Sequence, residues 1–565
     1  MTLNETLGAI MLFGMVAVIF IGFPISFTLL FLALVFGGIG LGWLQTFDLA
    51  YLQIWGTMKD EILPSVPLFI FMGYMTEQAG LMERLFMALR LMLSRVRGAL
   101  YLAVILTATI FAMATGIVGA AVTVLGIMAG PIMIKTGYDA RLSSGAIAAG
   151  GTLGVLIPPS VMLVVMGPTM GVPVNQLYSA SFGPGFLLAG MYIAYCLIRS
   201  FINPRLGPPV PPEERAAAME DVKKDVIPLP IWILGLVCLV ILTPIVVYAL
   251  VSGLLAIAEI WVKLPQRSSN AVLGIGGVVA LWAAFEYVRR PFFRSIIVGI
   301  APLSALIFFT LGTILAGLAT PTEAASCGAF GATFLALLYG KLSIGNAPRT
   351  LFAAACAVGA VVGWFIGQYV IGGVPGGIFG ALCFGAIPAF LLSPPLRNAG
   401  MGTMVTSAMV LLLAVASNVF GAVFTKLGTA GVITNALISL PLDDLWKLAL
   451  IMAIIFVLGW PFEWPAIVLV FLPIFLPVVE KLKVHGLTKL ELLIWFGALV
   501  AVNLQTAFLS PPVAMSAYYL RNVVPQWSLA TIYRGMADYM VIQVIALCAL
   551  FFVPDVALWL VRVLK

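Results

Sequence analysis

The chain has 565 residues, 62% of them hydrophobic and 9% charged, with 29 Lys and Arg against 22 Asp and Glu and a mean hydropathy of +1.15. So few charges cannot coat a soluble protein, whose surface is roughly 25–35% charged. A disordered chain is excluded, and so is a nucleic-acid binder despite the pI of about 9.1. The net +7 fits loops between apolar runs, because cytoplasmic loops of membrane proteins hold the Lys and Arg.

Taken from the start, MTLNETLGAIMLF lacks a basic leader region and reads as a retained membrane helix rather than a cleaved signal. Runs long enough to span, singly or paired, follow near 7–44, 48–80, 99–134, 142–168 and 180–202. They continue near 228–262, 271–288, 295–340, 351–394, 402–440, 445–479, 492–520 and 538–562. These uniformly apolar runs exclude an outer-membrane barrel, whose strands alternate in polarity. The six Cys lie scattered in them without CxxC spacing and read as small buried hydrophobes. Many runs are too long for one crossing, or carry Gly, Pro or charge. In lipid, such broken helices survive only where protein or a water-filled cavity surrounds them.

Five regions result. Residues 1–202 form a first half with a hairpin at 48–80, a broken helix at 99–134 and a double-Pro helix at 142–168. Residues 203–292 open with a linker, 203–227, holding five Pro and nine charges, and continue as inserted membrane segments. Scaffold helices occupy 293–345 and further inserted segments 346–401. Residues 402–565 hold a hairpin at 402–440, a broken helix at 445–479, a double-Pro helix at 492–520 and a C-terminal helix.

The first and last regions repeat one pattern. Gly116 aligns with Gly459, Pro131 with Pro477, Gly137 with Gly486, and Pro158–Pro159 with Pro511–Pro512. Upstream of each copy lies a segment resembling a re-entrant hairpin: one has Lys59, Asp60 and Glu61 beside prolines, the other Ser417 and Asn418 in an apolar run. Paired sets of interrupted segments point to a transporter site between inverted repeats. The expected fold is therefore an all-α polytopic membrane protein of inverted repeats with re-entrant hairpins and broken helices. An enzyme is not expected: His485 is the only His, which rules out a His-based triad. GVPGGIFGAL (373–382) lacks the GK[ST] of a phosphate loop, so the driving energy must be an ion gradient or another chain.

PLFIFMG (67–73), GTLGVLIPPS (151–160), LATPTEAAS (318–326) and NLQTAFLSPPVAM (503–515) closely resemble the large membrane subunit of tripartite ATP-independent periplasmic (TRAP) transporters. The resemblance covers roughly 1–202, 293–345 and 402–562; the segments at about 204–292 and 350–401, and Glu463 where many members carry Asp, depart from it. It implies a sodium-coupled importer of the bacterial inner membrane with an elevator mechanism, a transport domain moving against a scaffold. It also implies two partners, a small four-helix membrane subunit and a soluble periplasmic substrate-binding protein, and a small organic acid as cargo. A stand-alone sodium–dicarboxylate symporter of similar architecture and a non-transporting membrane assembly subunit are the competing readings.

Sodium is a hard cation that wants several oxygens, and a helix broken in mid-membrane exposes carbonyls to supply them. The candidate sodium ligands are Thr115 and Gly116 with Ser65 at the hairpin tip, and Gly459 with Ser417 and Asn418. Small residues at these positions also permit close helix packing. At LIPPS and LSPPV, two prolines remove two backbone donors and open the chain. Ser160, Thr506 and Ser510 beside those openings are the candidate substrate contacts, with Asn503 and Gln505 just upstream. Glu463 is a candidate cation partner or an orienting group for the second break. TPTEAAS reads as a helix start, with Thr320 as N-cap, Pro321 at N1 and Glu323 at N3.

Overall fold

Chains in hydrocarbon must satisfy their backbone internally, and here they do so as helices. The computed structural model describes residues 2–94, 96–116, 118–209, 291–339, 393–511 and 514–564, with positions 283, 289, 358, 361 and 362 besides. Most of the expected linker and inserted segments lie outside the described residues. Among those described, seven helices are long and apolar enough to cross a membrane, or eight if one bent pair counts as a single span.

The first half opens with α1 (Leu3–Ile21), α2 (Ile25–Gly40), α3 (Trp43–Met58), α4 (Ser65–Gln78) and α5 (Leu81–Leu93). Then come α6 (Ala99–Thr115), α7 (Val118–Lys135), α8 (Ala140–Leu156), α9 (Val161–Met170) and α10 (Val174–Ile202). Helix α11 (Pro291–Ile307) runs on through a π-helical stretch (Phe308–Gly312), and α12 (Pro321–Leu338) follows. The last part comprises α13 (Pro394–Lys426), α14 (Thr429–Ile438), α15 (Asp444–Leu458), α16 (Trp464–Val479), α17 (Lys489–Leu509), α18 (Met515–Val523), α19 (Leu529–Phe552) and α20 (Asp555–Val563).

The repeated landmarks fall at equivalent places in the two halves. Gly116 separates α6 from α7, and Gly459 to Glu463 separate α15 from α16. Pro131 and Pro477 lie inside α7 and α16, and Gly137 and Gly486 turn the chain with φ of 75° and 67°. The double prolines end α8 and α17. Helices α8 and α9 are bent by 41° across theirs. The two helices leading into the prolines are the most deeply placed: α8 is buried from Leu142 to Leu156, and 94% of the apolar stretch of α17 is buried.

Packing between the halves is reciprocal. Helix α18, which follows the second double proline, lies on α7; α9, which follows the first, lies on α16. Glycines on α7 make room for α18. A Cβ at Gly119 would stand 2.9 Å from the Tyr519 ring, and one at Gly126 or Gly130 only 2.6 Å from Val523 or Val524.

Helix starts follow their local chemistry. Thr320 and Glu323 form the expected capping box on α12: the Glu323 carboxylate accepts the Thr320 N–H at 2.8 Å, and the Thr320 hydroxyl accepts the Glu323 N–H at 3.3 Å. The neighbouring Thr322 hydroxyl donates to the Glu61 carbonyl at 2.8 Å and ties this helix start to the turn between α3 and α4. That turn is the expected first hairpin. In the second segment, 402–440, the tip expected at Ser417 and Asn418 is not there. Helix α13 runs unbroken for 33 residues through Ser417 and Asn418, and the chain turns only at Leu427 and Gly428. Inside a continuous helix the carbonyls are already bonded, so this position offers side chains rather than an opened backbone.

Candidate functional site

A cavity of about 480 Å³ opens beside the first break, between α4, α7, α13, α16 and α18. Gly116 lines it, with φ of +60°, a left-handed conformation that costs an L residue roughly 1–2 kcal/mol. The backbone lies beside it too: a Cβ there would be in van der Waals contact, 3.4 Å from both the Pro159 carbonyl oxygen and the Val161 nitrogen. The two interruptions of the first half thus touch one another. In the second half, Gly459 faces Ala507 of α17, where an added Cβ would come within 3.0 Å of the alanine methyl. Its φ of −64° is ordinary helix, so glycine is required there for space and not for conformation.

The side chains predicted from the sequence fall in three places. Ser160 is fully buried at the start of α9, and its hydroxyl donates to the Val155 carbonyl. Thr506 donates to the Asn503 carbonyl at 2.7 Å, while Ser510 is buried and its hydroxyl has no partner among the described residues. None of these three lines the cavity; their neighbours Val161 and Phe508 do. The Thr115 side chain lies outside the described residues.

Ser65 begins α4, buried, with its hydroxyl on the Ile62 carbonyl at 2.5 Å. Asn418 donates to the Thr57 hydroxyl at 2.8 Å and shares with Gln53 and Asp60 a polar crevice of about 210 Å³. The structure therefore brings Asn418 to the turn between α3 and α4, in the first half. Ser417, next to it, is buried with an unpartnered hydroxyl. Deeper in the second half, Asn503 donates to the Met452 carbonyl at 2.8 Å, and both amide atoms of Gln505 lack partners among the described residues.

Sequence reasoning singled out Glu463, which does line the large cavity, at the start of α16. It passed over Glu77, Tyr74, Thr406 and Tyr519, which line it as well. Glu77 was findable by the argument already applied to Glu463, that an intramembrane carboxylate is costly and marks a pathway. The other three carry no local signal, since only tertiary packing brings their helices to one cavity.

Comparison with known proteins supplies the family context. The profile of the tripartite ATP-independent periplasmic transporter, DctM component, matches residues 12–374 and 394–556, a range that includes the 203–292 region. The C4-dicarboxylate TRAP transporter large permease protein DctM of Pseudomonas aeruginosa is 22% identical over 90% of this chain and 88% of its own length. Its namesake from Rhodobacter capsulatus is 23% identical over 92% and 90%. The ectoine TRAP transporter large permease protein TeaC of Halomonas elongata is 25% identical, but the match spans 41% of this chain and only 53% of that protein. Among solved structures, the YdaH transporter of Alcanivorax borkumensis aligns over 90% of this chain and 88% of its own, with 15% identity and a TM-score of 0.46.

Proposed function

The chain belongs to the DctM-component family of tripartite ATP-independent periplasmic transporters, and on that premise we propose that it is the large permease of an importer moving a small organic acid inward with sodium. It is a multi-pass protein of the inner membrane. The observation that carries the proposal is the cavity of about 480 Å³ beside the Gly116 break, lined by helices of both halves. Such a cavity lies within the range of small-molecule sites. Its walls come from two halves that each contain a broken helix and a double-Pro helix, the arrangement expected of a site with alternating access.

In this reading the substrate occupies the cavity, with Ser160, Thr506 and Ser510 at the flanking double-Pro openings. Sodium is held by carbonyls near Gly116 and Gly459 with oxygens from Thr115, Ser65, Ser417 and Asn418, the last two offered as side chains from the unbroken α13. The Ser417 and Ser510 hydroxyls, without partners among the described residues, are free to meet a ligand there. Movement follows the elevator scheme, the broken-helix elements shifting against α11 and α12. A small membrane subunit and a periplasmic binding protein deliver the cargo.

The test is uptake into vesicles holding the purified chain, with and without the two partner proteins. Uptake that saturates with sodium and needs both partners is the expected result. Full-rate uptake in potassium medium under a proton gradient defeats the sodium assignment, and undiminished uptake by this chain alone defeats the three-part assembly.

A further inference from the structure

The charge of the large cavity is unusual for a carrier of plain anions. Glu77 on α4 and Glu463 at the head of α16 both line it, and no Lys, Arg or His does among the described residues. Neither carboxylate has a hydrogen bond or ion pair among the described residues. A carboxylate withdrawn from water costs several kcal/mol unless it takes up a proton or something positive answers it. The first turns of three helices also border the cavity. Val118 and Gly119 belong to the first turn of α7, and Val161 and Met515 begin α9 and α18; all four line it. The first N–H groups of a helix have no partner within it and carry about half a positive charge between them. Four aromatic rings, Tyr74, Trp464, Phe508 and Tyr519, complete the wall.

A sodium ion answers the two carboxylates but leaves most of the 480 Å³ and all four rings without a role. A simple dicarboxylate meets the helix ends but repels both glutamates. A molecule with both charges satisfies everything present. We propose that the cavity is built for a zwitterionic solute, its carboxylate at the helix N-termini and its cationic nitrogen against Glu77, Glu463 and the aromatic faces. The proposal deepens the functional reading above and rests on its placement of the substrate in this cavity.

The test uses two probes of one shape. Glycine betaine and 3,3-dimethylbutanoate share a carboxylate and a trimethyl head, and differ only in whether the head is charged nitrogen or neutral carbon. Titration calorimetry on the full-length protein in sodium buffer should give betaine at least a tenfold lower Kd. In the Glu77→Gln, Glu463→Gln double variant the two probes should come within threefold of each other. Equal binding, tighter binding of dimethylbutanoate, or no binding of either probe to the unaltered protein overturns the proposal, and that reading needs no variant to fold. Thr123→Trp, which fills the cavity, separates the two layers of argument. If the variant keeps the betaine preference, the ligand sits elsewhere and the placement of the substrate falls with the proposal. If it loses all binding while the unaltered protein shows no preference, the cavity stands as the site and only the zwitterion falls.

Discussion

The two halves carry the same interruptions and use them differently. In the first, Gly116 holds a left-handed backbone at φ +60° and abuts the peptide units of the double-Pro opening, so two breaks form one junction. In the second, five residues from Gly459 to Glu463 bridge α15 and α16, the glycine is ordinary helix, and it meets the methyl of Ala507 four residues before Pro511. A repeat in sequence thus fixes where each half breaks, while the conformation of the break depends on what packs against it. The first junction should be the more rigid, because backbone meets backbone there. The second should yield more readily, because the nearest neighbour of a Cβ at Gly459 is the Ala507 methyl at 3.0 Å, which can be trimmed, with the Phe456 carbonyl oxygen next at 3.2 Å.

The strongest way to break this picture is at the surface the halves share. Gly126→Leu places a branched side chain where even a Cβ would stand 2.6 Å from Val523, and overpacking of this kind costs about 1–3 kcal/mol or more. We expect near-complete loss of uptake and a drop of several degrees in the melting temperature of detergent-solubilised protein. Wild-type behaviour would mean α18 does not lie on α7 in the working protein. Gly116→Ala comes next, because alanine meets the left-handed penalty at φ +60°. A loss of at least tenfold in uptake rate is expected, and uptake within twofold of normal would refute the rigid junction. Gly459→Ala should cost threefold or less, and adding Ala507→Gly should restore most of it, since the second substitution removes the opposing methyl. A double variant worse than either single would show that space is not what the glycine supplies. The smallest effect sharpens the boundary between function and folding. Thr320→Ala removes the α12 cap and should cost about 1 kcal/mol of stability, read as a lower melting temperature with the sodium dependence of uptake unchanged. A shifted sodium dependence would give TPTEAAS a part in transport.

What could be read from the sequence was whatever backbone chemistry writes into residue identity. Gly116, Gly137 and Gly486 allow a left-handed backbone and the double prolines interrupt a helix wherever they occur, so their order located the breaks and the correspondence between halves. Thr320, Pro321 and Glu323 likewise specify a helix start by themselves. Ser417 and Asn418 misled for a physical reason: a polar pair in an apolar run resembles an interruption, but the Asn418 amide reaches Thr57 on another helix and leaves α13 continuous. The cavity lining was illegible for a different reason. Tyr74, Thr406 and Tyr519 sit on three helices far apart in the chain, and nothing local in any of them reports the others.

The seating of α18 on α7 also sets an order of events during synthesis. Gly126 and Val523 are separated by about 400 residues, which at roughly 5–20 residues per second takes on the order of 20–80 s to make. Throughout that interval α7 has emerged with a glycine-lined groove and no helix to fill it. Helix α9 waits as well, until α16 is inserted. Neither half can finish maturing before the other exists, so a ribosome stalled midway leaves a half-built protein that is open to lipid and to membrane quality control. Native contacts of such long range make assembly slow, and the cell must hold the first half in the bilayer, unpartnered, until the second arrives.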